Sequence, residues 1–206
     1  MPPQLRCRDL RPGDILLQLS SGSLASKAIQ FGQKMTSGVA NSAFVHAGIM
    51  FDSTYFIEAL GAGISAADLR VGNSKYSYHA YRCTNPPVAS GAATCAKMMF
   101  DIHQSGHKLP YSVEKAIDSI FGPPGKAATP SQLDDLLDAV LHGRSCGFFC
   151  SQFVVYVYQF VAAQCGLLPS AMFNVSDAKA SPALLASKLK ASPFFSEIGY
   201  LEADQR

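Results

Sequence analysis

The sequence predicts an α+β fold built as a single domain over residues 1–206, and three observations support this prediction. The chain has 206 residues, of which 48% are hydrophobic and 16% charged, which is enough to bury one sizeable core. Short segments typical of strands, bounded by turn residues, dominate the N-terminal part, and longer helical segments follow them. The sequence contains no internal repeat. This mixture of strand and helix segments is typical of α+β proteins.

Five strands are predicted from turn residues and from runs of β-branched and aromatic residues. The turn Arg11-Pro12-Gly13 introduces the first strand, and the turn residues Asp52-Ser53 join the second and third strands as a hairpin. The predicted strands are residues 14–19, 44–50, 54–60, 76–83 and 194–201.

Helices are predicted where apolar residues recur at helical spacing or where capping residues mark a start. Ser131 is the predicted N-cap of one helix, and Ser181-Pro182 marks the start of the last. The predicted helices are residues 24–34, 94–104, 113–121, 131–142, 148–163 and 182–190, with irregular links at 36–43 and 122–131.

Charge and cysteine usage exclude several classes of protein. The net charge of +2 comes from 17 basic and 15 acidic residues that are scattered along the chain, so no surface for nucleic acid is predicted. Charged residues lie where a signal peptide would carry its apolar segment, so we expect synthesis and folding in the cytoplasm. The six cysteines are too sparse for a disulfide scaffold, and most are expected to be reduced core residues.

The stretch CGFFCSQFVVYVYQF, residues 146–160, lies in an uncharged segment that is long enough to cross a bilayer. Three glutamines, a glycine at position 166 and the lack of flanking basic clusters argue against a membrane span. The apolar block is too long for a strand and ends at this glycine, which Pro169 follows. We therefore expect a helix that is buried on nearly all sides.

Cys150 is expected in the first turn of this helix, where unpaired backbone N–H groups and the helix dipole favour a thiolate. A free cysteine has a pKa of about 8.5, and such surroundings lower it toward the range that a nucleophile needs at neutral pH. Cys146, one turn earlier, is an alternative nucleophile, a disulfide partner or a packing residue. On this stretch alone, two small buried side chains explain the cysteines equally well.

A cysteine nucleophile needs a base, and His46 is the candidate because it lies in the middle of the apolar predicted strand 44–50, whereas His79 lies in a more polar predicted strand. His103 and His107 have the spacing of two metal ligands on a helix, but no cysteine and no carboxylate beyond Asp101 completes a site. The other two histidines are expected to be structural or exposed. We therefore predict no metal and no other cofactor.

The hairpin offers Glu58 as the group that orients the His46 imidazole, if the register allows it. With a three-residue loop over residues 51–53, His46 lies directly opposite Glu58, and their Cβ atoms are about 5 Å apart. With a two-residue loop, His46 faces Ala59 and Glu58 points to the other face of the sheet. A glutamate in water and a hydrogen-bonded core histidine are the alternatives for these two side chains.

Four short segments carry a family resemblance. They are LRPGDI at residues 10–15, FVHAGI at 44–49, FIEALGAGI at 56–64 and FFCSQFV at 148–154. Together they resemble the circularly permuted branch of the NlpC-type cysteine peptidases, relatives of the papain fold. In that branch the histidine strand precedes the cysteine helix, as it does in this chain. The resemblance implies an antiparallel sheet packed on a buried central helix that starts at the nucleophile.

Carried over residue by residue, the resemblance selects Cys150 over Cys146 as the nucleophile. It implies His46 as the general base and then acid, and Glu58 as the group that orients the imidazole. The segment LPYS looks like the tyrosine motif of the family, so Tyr111 is a candidate for substrate binding, with a core tyrosine as the alternative.

Two features depart from the family pattern. Val45 stands where a small polar residue usually precedes the histidine, and residues 112–145 look like an insertion. An inserted helix and loop there could form a lid or a specificity wall, so substrate access differs from that of a minimal member.

The resemblance implies a cysteine hydrolase that works through a thioester and needs no cofactor. The first expected substrate class is the amide bonds of cell-wall peptides in peptidoglycan, and the second is lipid esters or thioesters, which would be cleaved or transferred. A catalytically silent binding module is a further alternative. A wall-cutting enzyme without a signal peptide needs signal-independent export, so the chain is also expected to be an antibacterial effector. Such an effector would act in the periplasm of a target cell and would have an immunity or secretion partner.

Overall fold

A computed structural model describes residues 2–20, 43–60, 63–71, 73–106, 126–133, 135, 149–176 and 180–203. Its six strands are β1 (Ile15–Leu19), β2 (Phe44–Met50), β3 (Tyr55–Leu60), β4 (Gly63–Asp68), β5 (Tyr78–Cys83) and β6 (Phe195–Leu201). They form one sheet in the order β4-β3-β2-β1-β5-β6, in which all neighbours are antiparallel. Helices pack against this sheet, which confirms the α+β prediction.

Within the described ranges the α-helices with complete bounds are α1 (Pro86–Gln104), α2 (Cys150–Gln164), α3 (Pro169–Met172) and α4 (Pro182–Ala191). The predicted start of α4 is confirmed, because the Ser181 side chain accepts a hydrogen bond from the Leu184 N–H. The predicted helices at 24–34 and 113–121 lie outside the described residues.

Helix α2 lies at the centre of the core and is buried along nearly its whole length, as the sequence predicts. Twelve of its 15 residues are buried, so it has no polar face that lies against solvent. Nε2 of Gln159 finds partners inside the core, because it donates to the carbonyl oxygens of Phe173 and Val175 at 2.8 Å each. Among the described helices, none combines the length and apolar character that a membrane span needs.

Helix α1 begins at Pro86, well before the predicted start at residue 94. The side chain of Asn85 caps it by accepting a hydrogen bond from the Val88 N–H at 3.2 Å. The two prolines that follow Asn85 suit the first turn of a helix, where a missing N–H costs nothing. The capping pattern, rather than hydrophobic spacing, therefore sets this start.

Two further elements differ from the prediction. Strand β4 was not predicted, because its sequence GISAAD contains small residues without a clear alternation. The helical turn at residues 130–133 is capped by Thr129 and not by Ser131. Oγ1 of Thr129 accepts from the Gln132 N–H at 3.4 Å, and Oε1 of Gln132 accepts from the Thr129 N–H at 2.9 Å, which is a capping box.

The two faces of the sheet are covered by different parts of the chain. Helices α1, α2 and α4 cover the face that carries Leu17, Ala47 and Ile57. The opposite face carries Leu16 and Phe56, and it packs against the N-terminal segment and the turn after β4. This second face also carries the polar residues of the candidate site.

Candidate active site

Cys150 is the first residue of α2, and backbone N–H groups surround its sulfur. The preceding residue, Phe149, is extended (φ −109°, ψ 166°) and has no side chain that can cap the helix. The first turn of a helix leaves N–H groups without intrahelical partners, and one of these, the Ser151 N–H, donates to the Cys150 sulfur. The positive end of the helix dipole therefore faces the thiol.

The observed pairing of β2 with β3 differs from both predicted registers. Gly48 lies opposite Glu58, so His46 is not directly opposite Glu58, and the pairing is displaced by two residues from the three-residue-loop register. A displacement of two preserves the alternation of side chains, so His46 and Glu58 still lie on the same face. The long Glu58 side chain spans the diagonal, and its Oε2 lies 2.6 Å from Nε2 of His46.

The displacement arises in the turn between the two strands. Oδ1 of Asp52 accepts hydrogen bonds from the N–H groups of Thr54 and Tyr55, at 2.6 and 2.7 Å. The Phe51 N–H donates to the Tyr55 carbonyl oxygen at 2.9 Å, which closes the loop. The loop has three residues, 52–54, and begins one residue later than predicted because the Asp52 side chain organises it.

The Cys150 sulfur enters the site where β2 and β3 cease to pair. The last pair of their ladder is Gly48 with Glu58, although β2 extends to Phe44 and β3 to Leu60. The side chain of His46 hydrogen-bonds the Cys150 sulfur at this opening. Because β2 and β3 are no longer paired here, the start of α2 can contact His46. The side chain of this histidine otherwise lies on the sheet face opposite the helices.

The end of the β2–β3 ladder also leaves one backbone N–H group without a strand partner, and this group becomes the second backbone donor to the Cys150 sulfur. N–H groups along a strand point alternately to its two neighbours, and the Met50 N–H donates to Asp14, on the β1 side, at 2.8 Å. The Ala47 N–H therefore points toward β3, beyond the last pair of that ladder. It donates to the Cys150 sulfur instead. This donor was not identified from the sequence, because only the point at which the ladder ends makes it available.

The three side chains form one hydrogen-bonded series. Glu58 occupies Nε2 of the His46 ring, which leaves Nδ1 as the ring nitrogen for the Cys150 sulfur. Glu58 and Cys150 are each only 4% exposed, and the His46 side chain is 14% exposed. The charges of the site therefore interact with little screening by water.

Electrostatics favour a thiolate beside an imidazolium. Burial is the largest influence on both groups and opposes both charges, but the mutual attraction and hydrogen bonding outweigh it. The pKa of His46 is raised to about 10, since the Cys150 sulfur and the Glu58 carboxylate favour its protonated form. The pKa of the Cys150 thiol is lowered by His46 and by the N–H groups of Ala47 and Ser151.

Iodoacetamide alkylation of Cys150 is expected to show a flat pH profile. Because the thiolate persists below the usual pKa of cysteine, the rate should change less than about threefold between about pH 6 and pH 8. A free cysteine with a pKa of about 8.5 changes by roughly 70-fold over that interval. Hydrolytic turnover should fall above about pH 10, where His46 loses its proton.

Peptide mapping by mass spectrometry measures this profile, with the exposed thiol of Cys165 as an internal reference for the reagent. The shape of the profile decides the question, since burial of the sulfur lowers the absolute rate. A Cys150 rate that climbs with pH as a free thiol does would contradict the ion pair.

A second histidine–carboxylate pair lies elsewhere on the sheet. Nδ1 of His79 on β5 is 2.6 Å from Oε1 of Glu197 on β6, and both side chains are about a quarter exposed. Among the described residues no cysteine hydrogen-bonds to this pair, so it lacks a nucleophile and has the features of a partly exposed structural contact. No group of three or more potential metal ligands occurs in the described part of the chain.

The remaining predicted site residues stand as follows. Cys7, Cys83, Cys95 and Cys150 are buried thiols that take part in no disulfide among the described residues. Tyr111, Cys146 and most of the segment 112–145 lie outside the described residues, so their predicted roles stay predictions.

No protein-family model matches the sequence, and no curated protein matches it. The motifs and the geometry of the site are therefore the basis for a function.

Proposed function

We propose that the chain is a cysteine hydrolase of the circularly permuted NlpC type, with Cys150 as the nucleophile, His46 as the general base and acid, and Glu58 as the orienting carboxylate. The observation that supports this most is the continuous series in which the Cys150 sulfur hydrogen-bonds His46 and His46 Nε2 lies 2.6 Å from Glu58. A sulfur, an imidazole and a carboxylate joined in this order are what nucleophilic catalysis by cysteine requires.

In the proposed reaction the Cys150 thiolate attacks the substrate carbonyl carbon, and the carbonyl oxygen takes up the displaced electron pair. The tetrahedral intermediate collapses to a thioester when the bond to the leaving amine breaks and the amine takes the proton of His46. Water then loses a proton to His46 and adds to the thioester. Cleavage of the carbon–sulfur bond releases the acid and regenerates the thiolate and the imidazolium.

The Cys150 N–H at the helix tip is the proposed first donor to the oxyanion. It lies in the first turn of α2, where N–H groups have no intrahelical acceptor. An oxyanion next to this tip also benefits from the helix dipole. The start of α2 therefore stabilises both the thiolate and the oxyanion of the tetrahedral intermediate.

The proposed substrate is an amide bond of a cell-wall peptide, as the family resemblance implies. Because peptidoglycan lies outside the cytoplasm, the proposed role is that of an exported effector with a secretion or immunity partner. Lipid esters and thioesters share the same acyl chemistry and would be cleaved or transferred through the same thioester. The product assay separates these alternatives.

The purified protein and its Cys150→Ala variant are incubated with peptidoglycan fragments and, separately, with acyl lipids, and the products are identified by mass. We expect the wild type to release peptide fragments and the variant to release none, because the alanine has no nucleophile. Release of fatty acid, or acyl transfer, without peptide cleavage would contradict the amide assignment. No product from either substrate, with Cys150 no more reactive than a free thiol, would favour the silent binding module.

A further inference from the structure

Three polar side chains form a row across neighbouring strands, on the sheet face that the helices do not cover. Gln18 on β1, His46 on β2 and Glu58 on β3 share this face, since Gln18 pairs with His46 and Glu58 reaches His46 across the diagonal. The next residues along the same strands of this face are apolar and buried, as Leu16 and Phe56 show. Two members of this row belong to the candidate triad, and the proposed function gives no role to the third.

The surroundings of Gln18 distinguish it from a core residue. Its side chain is half-buried, and within the part of the chain that the structure describes no hydrogen bond engages its carboxamide. As the direct cross-strand partner of His46, it has its Cβ about 5 Å from that of the histidine. A half-exposed carboxamide beside a catalytic base is available to a ligand.

A β-bulge lies directly beside the pair of Gln18 and His46. Gln18 pairs with His46, but the next residue, Leu19, pairs with Phe44, so Val45 is the extra residue on β2. Bulges re-aim side chains and are enriched next to active sites. Here the bulge interrupts the β1–β2 ladder directly after Gln18, so Gln18 and His46 are the last regular pair before it.

Gln18 and the thiol lie on opposite sides of His46. Gln18 belongs to β1, whereas the Cys150 sulfur accepts the Ala47 N–H that points toward β3. In thioester formation the acyl group is bonded to the sulfur, and the leaving amine takes its proton from His46. A leaving group that extends beyond His46, away from the sulfur, therefore extends toward Gln18.

We propose that Gln18 is a specificity-determining residue that hydrogen-bonds the leaving-group side of the substrate. This inference rests on the proposed function, because it assumes acyl transfer to Cys150. A carboxamide offers both a donor and an acceptor, which match the C=O and N–H of a further peptide bond. An alkyl leaving group would leave both of these groups without a partner. Gln18 therefore favours amides whose leaving amine continues as a peptide.

The test compares two substrates that carry the same acyl group. One has a peptide as its leaving group, and the other is a benzyl thioester, whose leaving group has no amide. Both give the same acyl-enzyme, so single-turnover kinetics separate its formation from its hydrolysis. The variants are Gln18→Leu, which keeps the size but removes the carboxamide, and Ser65→Ala as a matched control. Ser65 is half-buried on β4 and lies opposite Glu58, on the far side of the row from Gln18.

For Gln18→Leu we expect acyl-enzyme formation from the peptide substrate to slow about tenfold, the typical effect of one lost hydrogen bond. Formation from the thioester, hydrolysis of the acyl-enzyme and alkylation of Cys150 should stay within about twofold of the wild type. Ser65→Ala should leave all four rates unchanged.

Two results overturn the assignment of Gln18 while leaving the proposed function intact. In the first, both substrates slow equally in Gln18→Leu, which shows that the residue acts on His46 or on the oxyanion. In the second, neither substrate slows. A wild-type protein that forms no acyl-enzyme from either substrate overturns the proposed function, and the Gln18 assignment with it.

Discussion

The His46→Ala variant is expected to form the acyl-enzyme about 10³-fold more slowly than the wild type, or slower still, with its fold retained. The substitution removes two functions of the imidazole. Its charge no longer lowers the pKa of the Cys150 thiol, and its proton is no longer available to the leaving amine. Single-turnover kinetics measure the loss directly, and added imidazole should restore part of the rate because the variant leaves a space of that shape.

Stability has to be separated from catalysis in this variant, because Glu58 loses its partner. The Glu58 side chain is 5% exposed, and a buried carboxylate without its partner costs about 3–5 kcal/mol if it stays charged. The double variant His46→Ala with Glu58→Gln removes that charge. It should recover most of the lost thermal stability and none of the lost activity.

The sheet provides a matched control in the other histidine–carboxylate pair. His79→Ala breaks the 2.6 Å contact between His79 and Glu197, with the same change of residue. Because that pair has no contact with Cys150 in the described structure, acyl-enzyme formation should stay within about twofold of the wild type. Wild-type rates in a folded His46→Ala protein would remove His46 from the mechanism and leave the thiol without a base.

Much of this geometry could be predicted from the sequence because it depends on local patterns. The uncharged block after Cys146 could only be a buried helix or a membrane span, and its glutamines and closing glycine decided for the helix, with Cys150 at its start. The bounds of β2 follow from the apolar run between a polar link and a turn. The sequence also predicts Glu58 as the partner of His46, but only if the loop between β2 and β3 has three residues and not two.

The register could not be predicted, because it depends on one side chain in the turn. Two hydrogen bonds from Thr54 and Tyr55 to Asp52 move the loop by one residue and the pairing by two. A displacement by one residue would have separated the histidine from the glutamate, and a displacement by two did not. The Ala47 donor and the role of Gln18 depend on where ladders end and bulge, which local patterns do not indicate.

Among substitutions that add a single methyl group near the site, Gly48→Ala is expected to destabilise the fold most. A Cβ at this position would lie 2.5 Å from the carbonyl oxygen of Ile57 and 2.7 Å from two ring atoms of Phe56. The carbonyl belongs to the paired strand β3, so the conflict is relieved only if the two strands separate. Overpacking of this kind costs about 1–3 kcal/mol or more, and we expect the upper part of that range. Thermal unfolding should show a loss of roughly 6–12 °C in Tm.

Gly91→Ala is the matched control for the same substitution. Its new Cβ would meet one methyl group of Val161 at 2.5 Å, and the next two nearest atoms, at 3.8 Å, belong to the same side chain and not to backbone. A side-chain obstacle of this kind is relieved by a small movement between α1 and α2, and alanine improves the helix propensity by about 1 kcal/mol. The loss of Tm should therefore be much smaller than for Gly48→Ala. An equal loss would show that the β2–β3 contact is no tighter than the contact between helices.

The Gly48 variant also tests how the triad is held, since Gly48 lies directly opposite Glu58. Separating β2 from β3 at this pair moves the carboxylate away from His46, which weakens the 2.6 Å contact. Adding Phe56→Leu removes the ring obstacle but leaves the Ile57 carbonyl, so stability should recover only in part. If activity falls with the Tm of Gly48→Ala and recovers with it in the double variant, the strand spacing sets the geometry of the catalytic pair. Full activity in a destabilised Gly48→Ala protein would mean that the Glu58 side chain follows His46 without help from the backbone, and that the absence of a side chain at position 48 serves only the packing of the sheet.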